Sequence, residues 1–179
     1  EAARRRADPE IARRLRALDD ARPQDDPLSP YLDALVGGDA DRGGRILAEK
    51  AEVSCVRCHK VSGRGGEVGP DLSGVGARHD RRYLLESIVA PNRQIAKGFE
   101  TLLLSTTDGQ VRSGILKEDT GPALRLITPE GQLLTVPKSE IEDQKRGASA
   151  MPEDLTKHLT KHELRDLVEY LSTLKAPSP

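Results

Sequence analysis

The chain has 179 residues, with 28 basic and 29 acidic side chains and a formal net charge of −1. That length holds one ordinary domain or two small ones, and the charge balance argues against a nucleic-acid-binding surface spread over the whole molecule. No apolar run approaches the length of a membrane span. The chain opens on Glu1 and shows no charged, then apolar, then small-residue pattern of a signal peptide, so it reads as a mature or excised fragment. Three Tyr, one Phe and no Trp leave the core short of its usual bulky residues. Either a small core of Leu, Ile, Val and Ala, or a large apolar cofactor, fills the interior.

Residues 1–22 predict a charged helix, with Ile11, Leu15 and Leu18 at helical spacing. Its arginines (Arg4, Arg5, Arg6, Arg13, Arg14 and Arg16) read as a solvated face. Pro23, Pro27 and Pro30 break the pattern, so 23–30 reads as a linker and the helix as the tail of a preceding domain. Asp39 caps a second helix over 40–51, with Ile46 and Leu47 as its bulky apolar residues. The glycine-rich stretch 62–76 is an irregular loop. Asp80 caps a third helix from Arg81 to Val89, stopped by Pro91.

The period then changes. Short strands are expected over 99–107, 110–116, 123–128 and 133–136, with another starting at Ile141, and Asp108-Gly109 is a strong turn signal. Such a run suggests a small antiparallel barrel, SH3-like, inserted between helical parts. Thr160 and Glu163 have capping-box spacing. Leu164, Leu167, Val168, Leu171 and Leu174 then give the stripe of a last helix, ended by Pro177.

Both cysteines lie in "SCVRCHK". Cys55-Val56-Arg57-Cys58-His59 is C-x-x-C-H, the attachment pattern for c-type haem. Each thiol adds to one haem vinyl group, and two intervening residues let one helical turn place both sulfurs. His59 then lies under the iron, where Nε2 can coordinate it. A structural zinc site needs four ligands, and His79, His158 and His162 form no finger-like pair. A redox dithiol is expected beside a βαβ pattern, which is missing.

An electron-transfer haem takes a sixth ligand, commonly Met or His. The single methionine, Met151, sits in a polar loop beside Pro152 rather than on an apolar stripe, and is the leading candidate. His79, His158 and His162 are the alternatives.

Taken together, 37–44, Ile46-Leu47, 55–59, "GEVGPDLSGVGAR" (66–78), "RYLLESIVAPNRQI" (82–95) and "SAMPEDL" (149–155) resemble the C-terminal c-type cytochrome domain of large planctomycete and verrucomicrobial dehydrogenase-like proteins. The likeness spans roughly 31–175. It implies that Cys55 and Cys58 carry the thioethers, that His59 is the proximal and Met151 the distal ligand, and that His59 and Met151 are thus the metal-binding pair. It further implies that the Pro70 carbonyl accepts the His59 Nδ1–H, and that Arg78 meets a haem propionate. The first and last helices of such a domain cross, with Gly43 or Gly44 allowing close approach near Tyr170.

The expected fold is therefore mainly α: a class I cytochrome c-like helical fold with a small SH3-like barrel inserted between the third helix and the axial-Met loop. The expected parts are 1–30, a charged helix and linker; 31–97, the first cytochrome part; 98–145, the β insertion; and 146–179, the axial-Met loop and last helix. The expected function is electron transfer through one covalently held haem c, with no bond of a substrate made or broken. The implied partners are an upstream or fused dehydrogenase and a downstream acceptor, in the periplasm or another extracytoplasmic space. A haem sensor with a displaceable sixth ligand is the rival reading. A peroxidase has little support, since no distal acid–base constellation is visible.

Overall fold

The computed structural model describes residues 8–175. The arginines at 4–6 and the stop expected at Pro177 lie outside the described residues. The first helix, α1 (Pro9–Asp20), starts where Asp8 accepts the Glu10 N–H. Within the proline stretch that reads as a linker, Pro23, Pro27 and Pro30 are exposed, while Leu28 and Ser29 are buried. Leu28 is 0% exposed, and a 3-10 turn, Ser29–Leu35, follows it directly.

Two helices form the centre of the molecule: α2 (Ala40–Glu49) and the last helix, described below. Asp39 caps α2 through the Arg42 N–H, as its position predicts. The haem-motif turn is α3 (Cys55–Cys58), and a two-residue ribbon, β1 (Lys60–Val61) with β2 (Arg64–Gly65), follows it. Helix α4 (Val75–Arg78) leads into α5 (Arg81–Val89), whose Asp80 side chain accepts the Tyr83 N–H. The ribbon and α4 fall within or just beyond the stretch expected to be an irregular loop. Neither is long enough to leave a periodic signal.

Strands β3 (Thr101–Thr106), β4 (Val111–Asp119), β5 (Ala123–Ile127), β6 (Leu133–Pro137) and β7 (Ile141–Arg146) make one antiparallel sheet in the order β6-β5-β4-β3-β7. Of the described residues 39% are helical and 21% strand, so the expectation of a mainly α protein is wrong. Nor do the strands close as expected: β6 and β7 are opposite edges of the sheet. Closure needs a tilt and stagger around the whole ring, and periodicity within one strand does not encode them.

The sheet leaves and rejoins the helical part at one place. Strands β3 and β7 are neighbours, and the Gly147 N–H donates to the Thr101 carbonyl at 2.8 Å. A register shift between Leu116 and Glu118 makes Lys117 a bulge residue in β4. Bulges re-aim side chains. Lys117 Nζ donates to the Glu67 carbonyl and stands 5.4 Å from the Phe99 ring centroid. Buried Val68, Ile115 and Ile127 fill the seam beneath it, against Cys58, Phe99 and Ala150. The sheet therefore packs onto the back of the cysteine turn.

The last helix, α6 (Lys161–Thr173), starts with the full capping box: Thr160 accepts the Glu163 N–H while Glu163 accepts the Thr160 N–H. Leu164, Leu167, Val168 and Leu171 are its buried stripe. It crosses α2 at Gly43, where a Cβ would lie 2.0 Å from the Asp166 carbonyl oxygen. Asp166 is 3% exposed and accepts from the Asp39 N–H at 2.8 Å and from Arg42 Nε at 3.0 Å. A buried carboxylate is tolerable only when so satisfied, and here it ties the start of α2 to the middle of α6.

Thr160→Ala should destabilise the domain by about 1 kcal/mol, the usual loss of an N-cap, measured as a shift in urea midpoint. The Glu163 carboxyl is held below its ordinary value, first by the hydrogen bond from Lys50 and then by the Thr160 amide. Its contribution is therefore full above the ordinary carboxylate pKa and fades as pH falls through the depressed one. The urea midpoint of Glu163→Gln should accordingly change less on acidification than that of the parent.

Candidate haem site

The cysteine turn begins at Ser54, whose φ of 43° marks a left-handed residue before the helix. The His59 N–H donates to the Cys55 carbonyl at 2.9 Å, which closes one turn over C-x-x-C-H. Both cysteines are free thiols and half-buried. Burial pushes the Cys55 thiol up to about 11. It raises Cys58 as well, partly opposed by the Arg57 charge. Neither is a ready thiolate, unlike the low-pKa thiols of redox enzymes.

The loop after the turn folds back on it. The Gly69 N–H donates to the Cys58 carbonyl at 2.8 Å, and the Leu72 N–H to the Lys60 carbonyl at 2.8 Å. The His59 Nδ1–H donates to the Pro70 carbonyl at 2.8 Å. This bond fixes the tautomer and leaves Nε2 as the nitrogen free to coordinate. A Cβ at residue 69 would lie 2.4 Å from His59 Cε1, so only glycine lets the loop lie flat on the imidazole. Burial pushes the His59 imidazole below its ordinary pKa, and the Pro70 bond opposes this less strongly. A neutral imidazole is the form that binds a metal.

Cys55, Cys58, His59 and Met151 line one cavity of about 350 Å³. Its wall includes Leu72, Val75, Leu84 and Ile88. Leu85 is not part of it; at 0% exposed it faces the helical core. Leu47, Leu167, Leu171 and Phe99 are also part of the apolar surface and were not legible as such. They come from distant parts of the chain, and only the helix crossing and the path into β3 bring them here. A cavity of this size class, apolar with a few placed polar groups, suits a cofactor.

Arg78 and Pro70 also line the cavity. Arg78 is exposed, and its Nη2 donates to the Asp71 carbonyl at 3.0 Å. Of the other histidines, His79 lines the cavity and stacks on Tyr83, with ring centroids 3.7 Å apart. His158 and His162 are exposed and lie off the cavity. Among the described residues, no group of three or more His, Cys, Asp or Glu could hold a metal ion unaided.

Residues 40–120 match the family model for cytochrome c. That stretch is similar to a cytochrome c domain. Its cofactor is haem c, covalently attached, and the residues fit the group: two free thiols one turn apart, a histidine with its second nitrogen already engaged, and an apolar cavity beside them. The match covers the cysteine turn, Pro70, Arg78 and the sheet as far as β4, and ends before Met151. No curated protein matches the chain. No described helix is long and apolar enough to cross a membrane. Domains of this kind are typically electron carriers outside the cytoplasm.

Proposed function

We propose that this cytochrome c domain is a single-electron carrier in which Cys55 and Cys58 form the thioethers, His59 is the proximal ligand and Met151 the distal one. The observation that carries the reading is that these four side chains line the same cavity. When bound, the haem supplies the one-electron exchange between Fe(III) and Fe(II).

The chain's own residues hold and tune the group. Pro70 orients His59 and raises its basicity as a donor. Leu47, Leu84, Ile88, Leu167 and Leu171 exclude water, which lowers the local dielectric and strengthens charge effects at the centre. The Arg78 guanidinium stands at the cavity with one nitrogen on the Asp71 carbonyl, and its remaining donors suit a propionate. Two parts, 31–97 and 146–179, enclose the group, and 98–145 is an insertion behind it. The resemblance to the planctomycete and verrucomicrobial proteins supports a fused or partner dehydrogenase as the electron donor, in the periplasm or an equivalent space. Residues 1–30 would lead from the preceding domain.

The test is an intact mass of protein matured in an exporting host, with a reduced-minus-oxidised difference spectrum. One haem added per chain, and a low-spin ferric form with the weak long-wavelength sulfur-to-iron band, is the expected result. A bare polypeptide mass refutes the covalent assignment to these cysteines. A five-coordinate ferrous form that takes up CO freely refutes Met151 as a ligand and favours a sensor.

A further inference from the structure

Met151 lies between the end of β7 at Arg146 and the 3-10 turn Leu155–His158, in a stretch with no helix or strand of its own. Its position therefore depends on bonds to other segments. One is the bond from the Gly147 N–H to Thr101 at the base of the sheet. The others converge on one side chain. The Ser149 N–H donates to Asn92 Oδ1 at 2.7 Å, and Asn92 Nδ2 donates to Glu153 Oε1 at 2.5 Å. Inside the loop, the Met151 N–H donates to Ser149 Oγ at 3.1 Å.

One amide thus grips the residue two before Met151 and the residue two after it. Asn92 is itself well placed to do so. It follows Pro91, which is buried and lines the cavity at the end of α5. Asn92 is exposed, so core packing does not account for it. An asparagine is one of the few side chains able to accept from a backbone amide and donate to a carboxylate at once. Aspartate cannot donate, and serine is too short to span both.

We propose that Asn92 is a positioning residue for the sixth ligand, a clasp that holds the 149–153 loop so that the Met151 thioether stays at the cavity. The proposal rests on the reading of Met151 as the distal ligand. Methionine has three rotatable side-chain bonds and a soft thioether. A loop ordered before ligation removes part of the entropy that the sulfur–iron bond must otherwise overcome. Without the clasp, an added ligand competes more easily for the sixth position.

The experiment is a spectroscopic imidazole titration of the full ferric chain with its haem in place. Asn92→Ala should bind imidazole about tenfold more tightly than the parent, equivalent to about 1.4 kcal/mol. Asn92→Asp keeps the acceptor for Ser149 but sets a carboxylate against Glu153, and should fall between the two. In a Met151→Ala background, where no thioether remains to be displaced, adding Asn92→Ala should leave imidazole affinity unchanged.

The clasp is overturned if Asn92→Ala stays within about twofold of the parent, or if it shifts affinity equally with and without Met151. Failure of the underlying reading has a different signature. If Met151→Ala alone leaves both the long-wavelength band and imidazole affinity untouched, Met151 is not the ligand and Asn92 has nothing to position.

Discussion

Met151→Ala should lower the reduction potential by about 0.1–0.3 V, a fraction of the ≈0.8 V range that axial ligands span. It should also abolish the long-wavelength sulfur-to-iron band of the ferric form. The thioether stabilises Fe(II) more than water or a nitrogen ligand does, so its loss favours Fe(III). Of the alternative ligands weighed from the sequence, only His79 lines the cavity, and its ring is already stacked on Tyr83. The vacated position should therefore bind CO in the reduced protein. Potentiometry with optical detection measures both effects. An unchanged potential together with an unchanged spectrum would sink the assignment of Met151.

Gly43→Ala should cost at least about 3 kcal/mol in stability, in the range of overpacked or strained core positions. That corresponds to a fall in Tm of roughly 6–12 °C for a chain of this size. The added Cβ would meet the Asp166 carbonyl oxygen at 2.0 Å and the Tyr170 Cβ at 2.7 Å, both close to rigid backbone. The helices must separate, and the Asp39 and Arg42 bonds to Asp166 lengthen with them. Leu47 and Leu167, one on each helix, both line the haem cavity, so the Soret and sulfur-to-iron bands should shift too.

Gly44→Ala is the internal control. There the new Cβ would meet the Tyr170 ring at 3.1 Å, and a ring edge can swing aside. Better helix propensity of about 0.5–1 kcal/mol offsets that contact. Thermal melts of the two variants should differ by several degrees. Equal melting temperatures would mean that the α2–α6 crossing does not depend on Gly43.

The elements easiest to read were those with local signals. Asp39, Asp80 and Thr160 each cap a helix through a bond to the residue three positions on. The Asp108-Gly109 turn and the strand alternation placed the sheet in sequence. What alternation could not supply was closure: the same five strands read equally well as a barrel or as the open sheet with β6 and β7 at its edges. The helix stripes also dominate the sequence signal. Strands of five to nine residues carry fewer side chains per signal than the helix stripes do, yet together with the β1–β2 ribbon they make up 21% of the described residues.

The C-x-x-C-H spacing by itself pointed to covalently held haem c, because two sulfurs and an imidazole within one turn is a local constraint that needs no distant partner. The tertiary structure alone decided what surrounds that turn. Met151 is 92 positions beyond His59 in a loop without periodicity, and it lines the cavity where β3 and β7 meet at the base of the sheet and Asn92 bridges Ser149 and Glu153. The physical reason is one of range. Capping and attachment act over a few residues, whereas the wall of a cavity is set by helix crossings and sheet pairing among segments far apart in the chain.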